Sequence, residues 1–423
     1  MARWRRSAAI AIASAGALAL ALSGCTPQQS VSIDVPAQVD APLPEATVAE
    51  LQDAVTSAMT ATGSTGAIVG VWAPWSGTWV SGVGTQGPGG AEVTSDLSFR
   101  AAEVTGAMTC DILYGLAADG TVAMSDPINK WVSNLPGYDD ITLRELCDGT
   151  SGLASYTATL EATVLANPDR VWNPRELLAY GIARPRLNAP GDAYGTSATN
   201  YLIAGLAAER ATNETLSTLI AERVTQPLGL SSTSLPAPAP ATPGPSSLPG
   251  YWSQPNAEGA WNCTDPAEFT EMSSSYGGAA AGAVTSIGDL GRYAQALATK
   301  ALLPADSDRF AAPVPVGPDQ PSWFTAAGGT FQAGSLIGQF GWTPGYMTAA
   351  FADPQTGMSV AVVLNNSGGN KLTSAWLAWE LAAIASKAPA AQGQTLPEAG
   401  LPWTAEQMRD NIAQNAICAP PAS

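Results

Sequence analysis

Apolar positions recur along this chain in two rhythms. Val48, Leu51, Val55 and Met59 step by three or four residues and predict a helix. Ala67-Ile68-Val69-Gly70-Val71-Trp72 and Thr78-Trp79-Val80, either side of Trp75-Ser76-Gly77, predict a hairpin. The stretch Phe99 to Cys110 reads as the end of a strand running into a buried helix. A further helix is expected from Leu216 to Leu230, and Ser286 reads as the N-cap of another. Two strands, Met347 to Ala352 and Met358 to Leu364, flank the turn Asp353-Pro354-Gln355-Thr356-Gly357. Leu372, Trp376, Trp379 and Ala383 then share one side of a last helix. Sheet, helical insert and sheet thus alternate over about Thr47 to Lys387.

The start of the chain follows neither rhythm. Behind Met1-Ala2-Arg3-Trp4-Arg5-Arg6, residues Ala8 to Leu22 are apolar throughout, the length of a signal-peptide core and short for a bilayer span. The run closes Leu22-Ser23-Gly24-Cys25, which reads as a bacterial lipoprotein signal, with Met1 to Gly24 removed and the Cys25 thiol acylated; an ordinary secretory peptide that happens to contain a cysteine is the other reading. Residues 25–46, rich in Pro, Gln, Ser and Ala, read as a flexible tether. The expected location is the outer face of a bacterial cell membrane, with lipid on Cys25 as the membrane contact. Pro236 to Pro255 reads as a surface insertion or lid within an insertion of about 236–270, and residues 388–423 as a C-terminal tail.

Charge and composition narrow the chemistry. Removing Arg3, Arg5 and Arg6 and no acid takes the formal charge from −17 to −20. So acidic a body argues against nucleic acid and against a polybasic membrane patch. With 46% hydrophobic and only 13% charged residues, a large core is easily built. The chain has no histidine, which excludes a histidine triad, and no Cys-x-x-Cys, which speaks against zinc. A P-loop and a dinucleotide fingerprint are also missing, and no cofactor is implied. Beyond Cys25, the cysteines Cys110, Cys147, Cys263 and Cys418 suggest two disulfides, for which three connectivities are open.

Several stretches resemble the penicillin-recognising serine hydrolases, meaning β-lactamases with a Tyr-x-Asn motif, D-alanyl-D-alanine carboxypeptidases and related esterases. Phe99-Arg100-Ala101-Ala102-Glu103-Val104-Thr105-Gly106 stands where that family reads Phe-Arg-x-Gly-Ser-x-x-Lys. The nucleophile position is Glu103 and the base position Gly106. Lys130, Lys300, Lys371 and Lys387 are the only lysines, and none has a serine three residues before it. Ile141 to Leu153 matches a stretch ending in Thr-His-Thr-Ser-Gly-Leu, with Gly149 for the histidine. Pro190-Gly191-Asp192-Ala193-Tyr194-Gly195-Thr196-Ser197-Ala198-Thr199-Asn200-Tyr201-Leu202 matches the tyrosine and asparagine motif. There Thr196 replaces the proton-shuttling tyrosine and Ala198 the substrate-holding asparagine. Gly338-Gln339-Phe340-Gly341-Trp342-Thr343-Pro344-Gly345 matches the Lys-Thr-Gly or His-x-Gly strand. Its cation has become Gln339, and the bulky Phe340 is expected to narrow the groove.

The resemblance implies an α/β (α+β) fold of the β-lactamase/transpeptidase type in one domain at 47–387: an antiparallel sheet from about 60–100 and 322–366, flanked by helices, and a helical subdomain at about 103–300. It also implies Cys110 paired with Cys147, because the nucleophile helix and the helix entering the Thr-Ser-Gly loop lie side by side in such folds; Cys263 is then left to pin the tail through Cys418. With Glu103, Gly106, Thr196, Ala198, Gln339 and Gly341 at degenerate motif positions, no catalytic residue set is intact. The expected function is that of a lipid-anchored pseudoenzyme binding a cell-wall peptide or an envelope protein. The alternative is an active hydrolase of the same family with an unrecognised nucleophile. A carboxylate mechanism through Glu103 needs a second acid, with Asp111, Asp148 and Asp192 as candidates. A cleft sealed by Trp342, Phe340 and Glu103 weighs against binding.

Overall fold

The computed structural model describes residues 30–418; the expected signal segment and Cys25 lie outside them. The body is an eight-stranded sheet built from β1 (Gly66–Ala73), β2 (Gly77–Gly84), β3 (Val314–Pro315), β4 (Phe324–Ala327), β5 (Thr330–Ala333), β6 (Leu336–Thr343), β7 (Tyr346–Ala352) and β8 (Ser359–Leu364). Its order is β2-β1-β8-β7-β6-β5-β4-β3, with every neighbouring pair antiparallel. The first strand lies beside the last, Val69 opposite Val362, so both ends of the domain are held in one layer.

Both faces of the sheet are covered, which is why its central strands read as apolar runs instead of alternating. Side chains still alternate between two cores. Ile68, Ala350, Ala352, Ala361 and Val363 join the core under the helical insert. Ala67, Val69, Val71, Met347, Ala349, Phe351, Val360 and Val362 join a second core. That second core is closed by α1 (Glu45–Thr62), a helix at Thr373–Ala385 and another at Ala405–Gln414.

The helical insert contains α2 (Val104–Ala118), α3 (Leu143–Asp148), α4 (Ala198–Thr212) and α5 (Ile287–Ala298). Capping marks their ends. The Thr142 side chain and Glu145 form a capping box at α3, and the Ser286 side chain accepts from the Asp289 N–H at α5. The helix expected from Leu216 to Leu230 instead divides into an α-turn at Leu216–Ile220, a π-turn at Ala221–Thr225 and a last turn at Gln226–Leu228. Pro227 has no N–H for the ladder, and Gly229, with φ 67°, ends the segment before Leu230. The C-terminal stretch is more ordered than a tail: Thr404 and Gln407 form a capping box, and Met408 and Ile412 bury against the second core.

Disulfides join Cys110 to Cys147 and Cys263 to Cys418, with Cα atoms 5.8 and 5.9 Å apart. The first ties α2 to α3 beneath the site. The second links residues 236–270 to the C-terminal helix region. Within 236–270 the chain packs back on the body: Leu248 is buried and its carbonyl accepts from the Tyr346 hydroxyl, and the Trp252 ring lies 5.1 Å from that of Trp342. No described helix is long and apolar enough to cross a membrane.

Candidate functional site

Where β6, the head of α2 and the loop into α4 converge, they enclose a cavity of about 420 Å³. The register explains the opening. Strand β5 pairs with β6 only across Leu336 to Gly338, so Gln339 to Thr343 carry on without a strand on that side. Glu103, Thr196, Ala198 and Gln339, far apart in sequence, all line the cavity. Trp342, Phe340 and Glu103 line it too without closing it. The Phe340 ring sits 4.6 Å from that of Phe331, as part of the wall.

Glu103 occupies the turn into α2. The preceding Ala102 is fully buried with φ 50°, a left-handed conformation that costs an L-residue about 1 kcal/mol. From this turn the Glu103 side chain reaches β6, where its carboxylate accepts the Trp342 backbone N–H. It lies flat on Gly341: a Cβ there would overlap Glu103 Oε2 and come within 2.7 Å of Cδ. Burial raises the Glu103 pKa from 4.5 to about 7, against the opposing pull of the Lys371 cation and the Trp342 N–H. The side chain remains partly exposed to the cavity. Such a carboxyl group can bind or release a proton near neutral pH.

The other degenerate positions are filled by their neighbours. A Cβ on Gly106 would stand 2.9 Å from the Tyr201 ring, and one on Gly149 would stand 2.5 Å from that of Tyr194. Gln339 is buried and spent on backbone, donating to the Gly329 carbonyl and accepting from the Phe340 N–H. Thr196 is exposed, 3.3 Å from the Tyr194 hydroxyl, and the Ala198 N–H donates to Ser155 Oγ at 3.2 Å.

The acids paired with Glu103 in the sequence reading do not meet it. Asp111 faces away from the cavity, in a buried ion pair with Arg309, and accepts from the Tyr293 hydroxyl at 2.6 Å. Asp148 accepts the Gly328 N–H, and Asp192 is exposed. The further acid on the cavity wall is Glu161. Sequence reasoning also missed Lys371, Tyr156 and Tyr276. Lys371 lies on the rim with its ammonium 4.0 Å from the Trp342 ring centroid. The signal for it was a lone cation in Ser367-Gly368-Gly369-Asn370-Lys371, a glycine-rich link between a strand and a helix. Tyr156 donates to the Tyr276 carbonyl at 2.7 Å, while the buried Tyr276 hydroxyl has no partner.

Comparisons with known proteins agree with this architecture. The structure resembles that of a D-stereospecific amidohydrolase from Streptomyces sp., with TM-score 0.66, 26% identity, and 75% of this chain and 94% of that one covered. It also resembles a D-amino acid amidase from Ochrobactrum anthropi SV3, with TM-score 0.66, 22% identity and coverage of 77% and 93%. In sequence, 146 residues are 32% identical to the D-alanyl-D-alanine-carboxypeptidase/endopeptidase AmpH of Escherichia coli (strain K12). That alignment covers 33% of this chain and 37% of the relative, well under two thirds of its length. The family model described as Beta-lactamase matches residues 51–384, which take in the sheet, the helical insert and the cavity between them. The chain therefore belongs to the beta-lactamase family.

Proposed function

We propose that this chain is a catalytically inactive member of its family that binds a small ligand in the cavity. The observation that carries the reading is the occupied nucleophile position: Glu103 lies on Gly341 under the Trp342 N–H, and the Tyr201 ring fills the space beside Gly106. A carboxylate there has no hydroxyl to acylate, and the base position has no amine. The cavity nevertheless stays open at about 420 Å³, a size suited to a dipeptide-sized ligand. Because the named relatives handle D-amino acid amides and D-alanyl-D-alanine peptides, a cell-wall peptide or D-amino acid derivative is the ligand class proposed, with an envelope protein as the other candidate partner.

The competing reading is an active hydrolase working through another serine. Ser155 lines the cavity, but its hydroxyl pairs with Thr157 Oγ1 at 2.6 Å and with the Ala198 N–H, neither of them a base. The two readings part in one experiment: incubate the protein with a D-alanyl-D-alanine peptide, measure binding by calorimetry and follow release of D-alanine. Saturable binding without release supports a binding protein. Turnover that survives removal of contaminating hydrolases sinks it.

We also propose that Cys25 carries lipid and holds the domain on the outer face of the cell membrane. The signal pattern at Leu22 to Cys25 supports this. A Cys25→Ser protein that stays with the membrane as firmly as the parent contradicts it.

A further inference from the structure

The cavity wall has a chemical character that neither its volume nor its ancestry states. Four tyrosines, Tyr156, Tyr194, Tyr201 and Tyr276, line it, and the charge of Glu103 acts on every one of their hydroxyls. Trp342 adds an indole. A lone carboxylate in a largely aromatic, water-poor cavity suits a cation, because the anion attracts positive charge strongly where little water screens it and aromatic rings tolerate a cation beside them. The protein already places a cation in this field: the Lys371 ammonium sits over the Trp342 ring and lowers the pKa of Glu103. Lys371 approaches from the exposed rim, which leaves the inner wall to a visitor. Tyr276, only 6% exposed, adds a hydroxyl with no partner on that wall.

We infer that the cavity takes a ligand bearing a free ammonium group, which lodges between the Glu103 carboxylate and the tyrosine rings. This rests on the binding reading above and names the chemistry of its ligand. Binding then depends on Glu103 being ionised. The groups facing it are the Lys371 ammonium, the hydroxyls of Tyr156, Tyr194, Tyr201 and Tyr276, and the Trp342 N–H, with Glu161 farther along the wall. Burial lifts all four tyrosine pKa values above the usual range, so Glu103, at about 7, is the group that changes charge near neutrality. Affinity for an amine that stays protonated throughout, such as phenethylammonium, is therefore about tenfold higher at pH 8 than at pH 6, and the rise is about half that for a peptide α-ammonium, which itself loses its proton near pH 8.

Calorimetry with three probes separates the possibilities: D-alanyl-D-alanine amide, its N-acetyl form and phenethylammonium chloride. The expected result is binding of the two amines, at least tenfold weaker binding of the acetylated peptide, and an at least tenfold loss for the amines alone in Glu103→Gln. Equal affinity for both peptides overturns the ammonium inference and leaves the binding reading standing. Binding of phenethylammonium alone, lost in Glu103→Gln, upholds the ammonium site and removes the peptide. If none of the three binds, both fall.

Discussion

Replacing Glu103 with Gln tests the electrostatics of the site through stability. Burial raises the Glu103 pKa from 4.5 to about 7. At about 1.4 kcal/mol per unit the whole shift corresponds to about 3 kcal/mol; because the side chain keeps some contact with cavity water, about 2 kcal/mol is the better expectation. The folded protein holds this proton more tightly than the unfolded chain does. The site's contribution to stability is thus fully present below pH 4.5 and lost as pH rises through about 7. Gln has the same shape, accepts the Trp342 N–H through its amide oxygen and never ionises. Urea unfolding of both proteins at pH 5 and pH 8 isolates the effect, since every other titrating group is common to the two. The stability of Glu103→Gln relative to the parent should rise by about 2 kcal/mol between those pH values. Parallel pH profiles contradict a buried carboxyl group at Glu103.

Three further substitutions probe the frame around it. Gly341→Ala puts a methyl group into the Glu103 carboxylate and should cost about 1–3 kcal/mol in urea unfolding, with loss of the pH dependence just described. Ala102→Gly relieves the left-handed strain before Glu103 but removes a buried methyl group, so the opposing effects of about 1 kcal/mol each should leave urea-unfolding stability nearly unchanged; a loss of about 2 kcal/mol or more contradicts the strain. Arg309→Met leaves Asp111 buried without its cation and should cost about 3–5 kcal/mol, with part recovered when Asp111→Asn is added.

Much of the fold was legible because its elements carry local signals. The step from Val48 to Met59, the hairpin around Trp75-Ser76-Gly77 and the Ser286 cap each state their structure within a few residues. The C-terminal helix carried a comparable signal in Thr404, Gln407, Met408 and Ile412, but the proline-rich and alanine-rich stretch before it hid the pattern. The site was legible only as losses. Motif comparison marked Glu103, Gly106, Thr196, Ala198 and Gln339; of these Glu103, Thr196, Ala198 and Gln339 line one cavity, and Gly106 packs against the Tyr201 ring. What stands at those positions was not readable, because Tyr194 reaches Gly149 from a loop, Tyr201 reaches Gly106 from one helix to another, and Lys371 comes from the link between β8 and the helix at Thr373–Ala385. Asp111 seemed near Glu103 in sequence, yet eight residues along α2 turn it toward Arg309 and away from the cavity.

The measurement that tests the proposed loss of hydrolysis most directly is the intact mass of the domain, from about Thr26 onward, before and after incubation with a reporter penicillin. An unchanged mass, from protein shown to be folded, is the predicted result. A covalent adduct contradicts the account, and mapping the modified peptide then identifies the nucleophile.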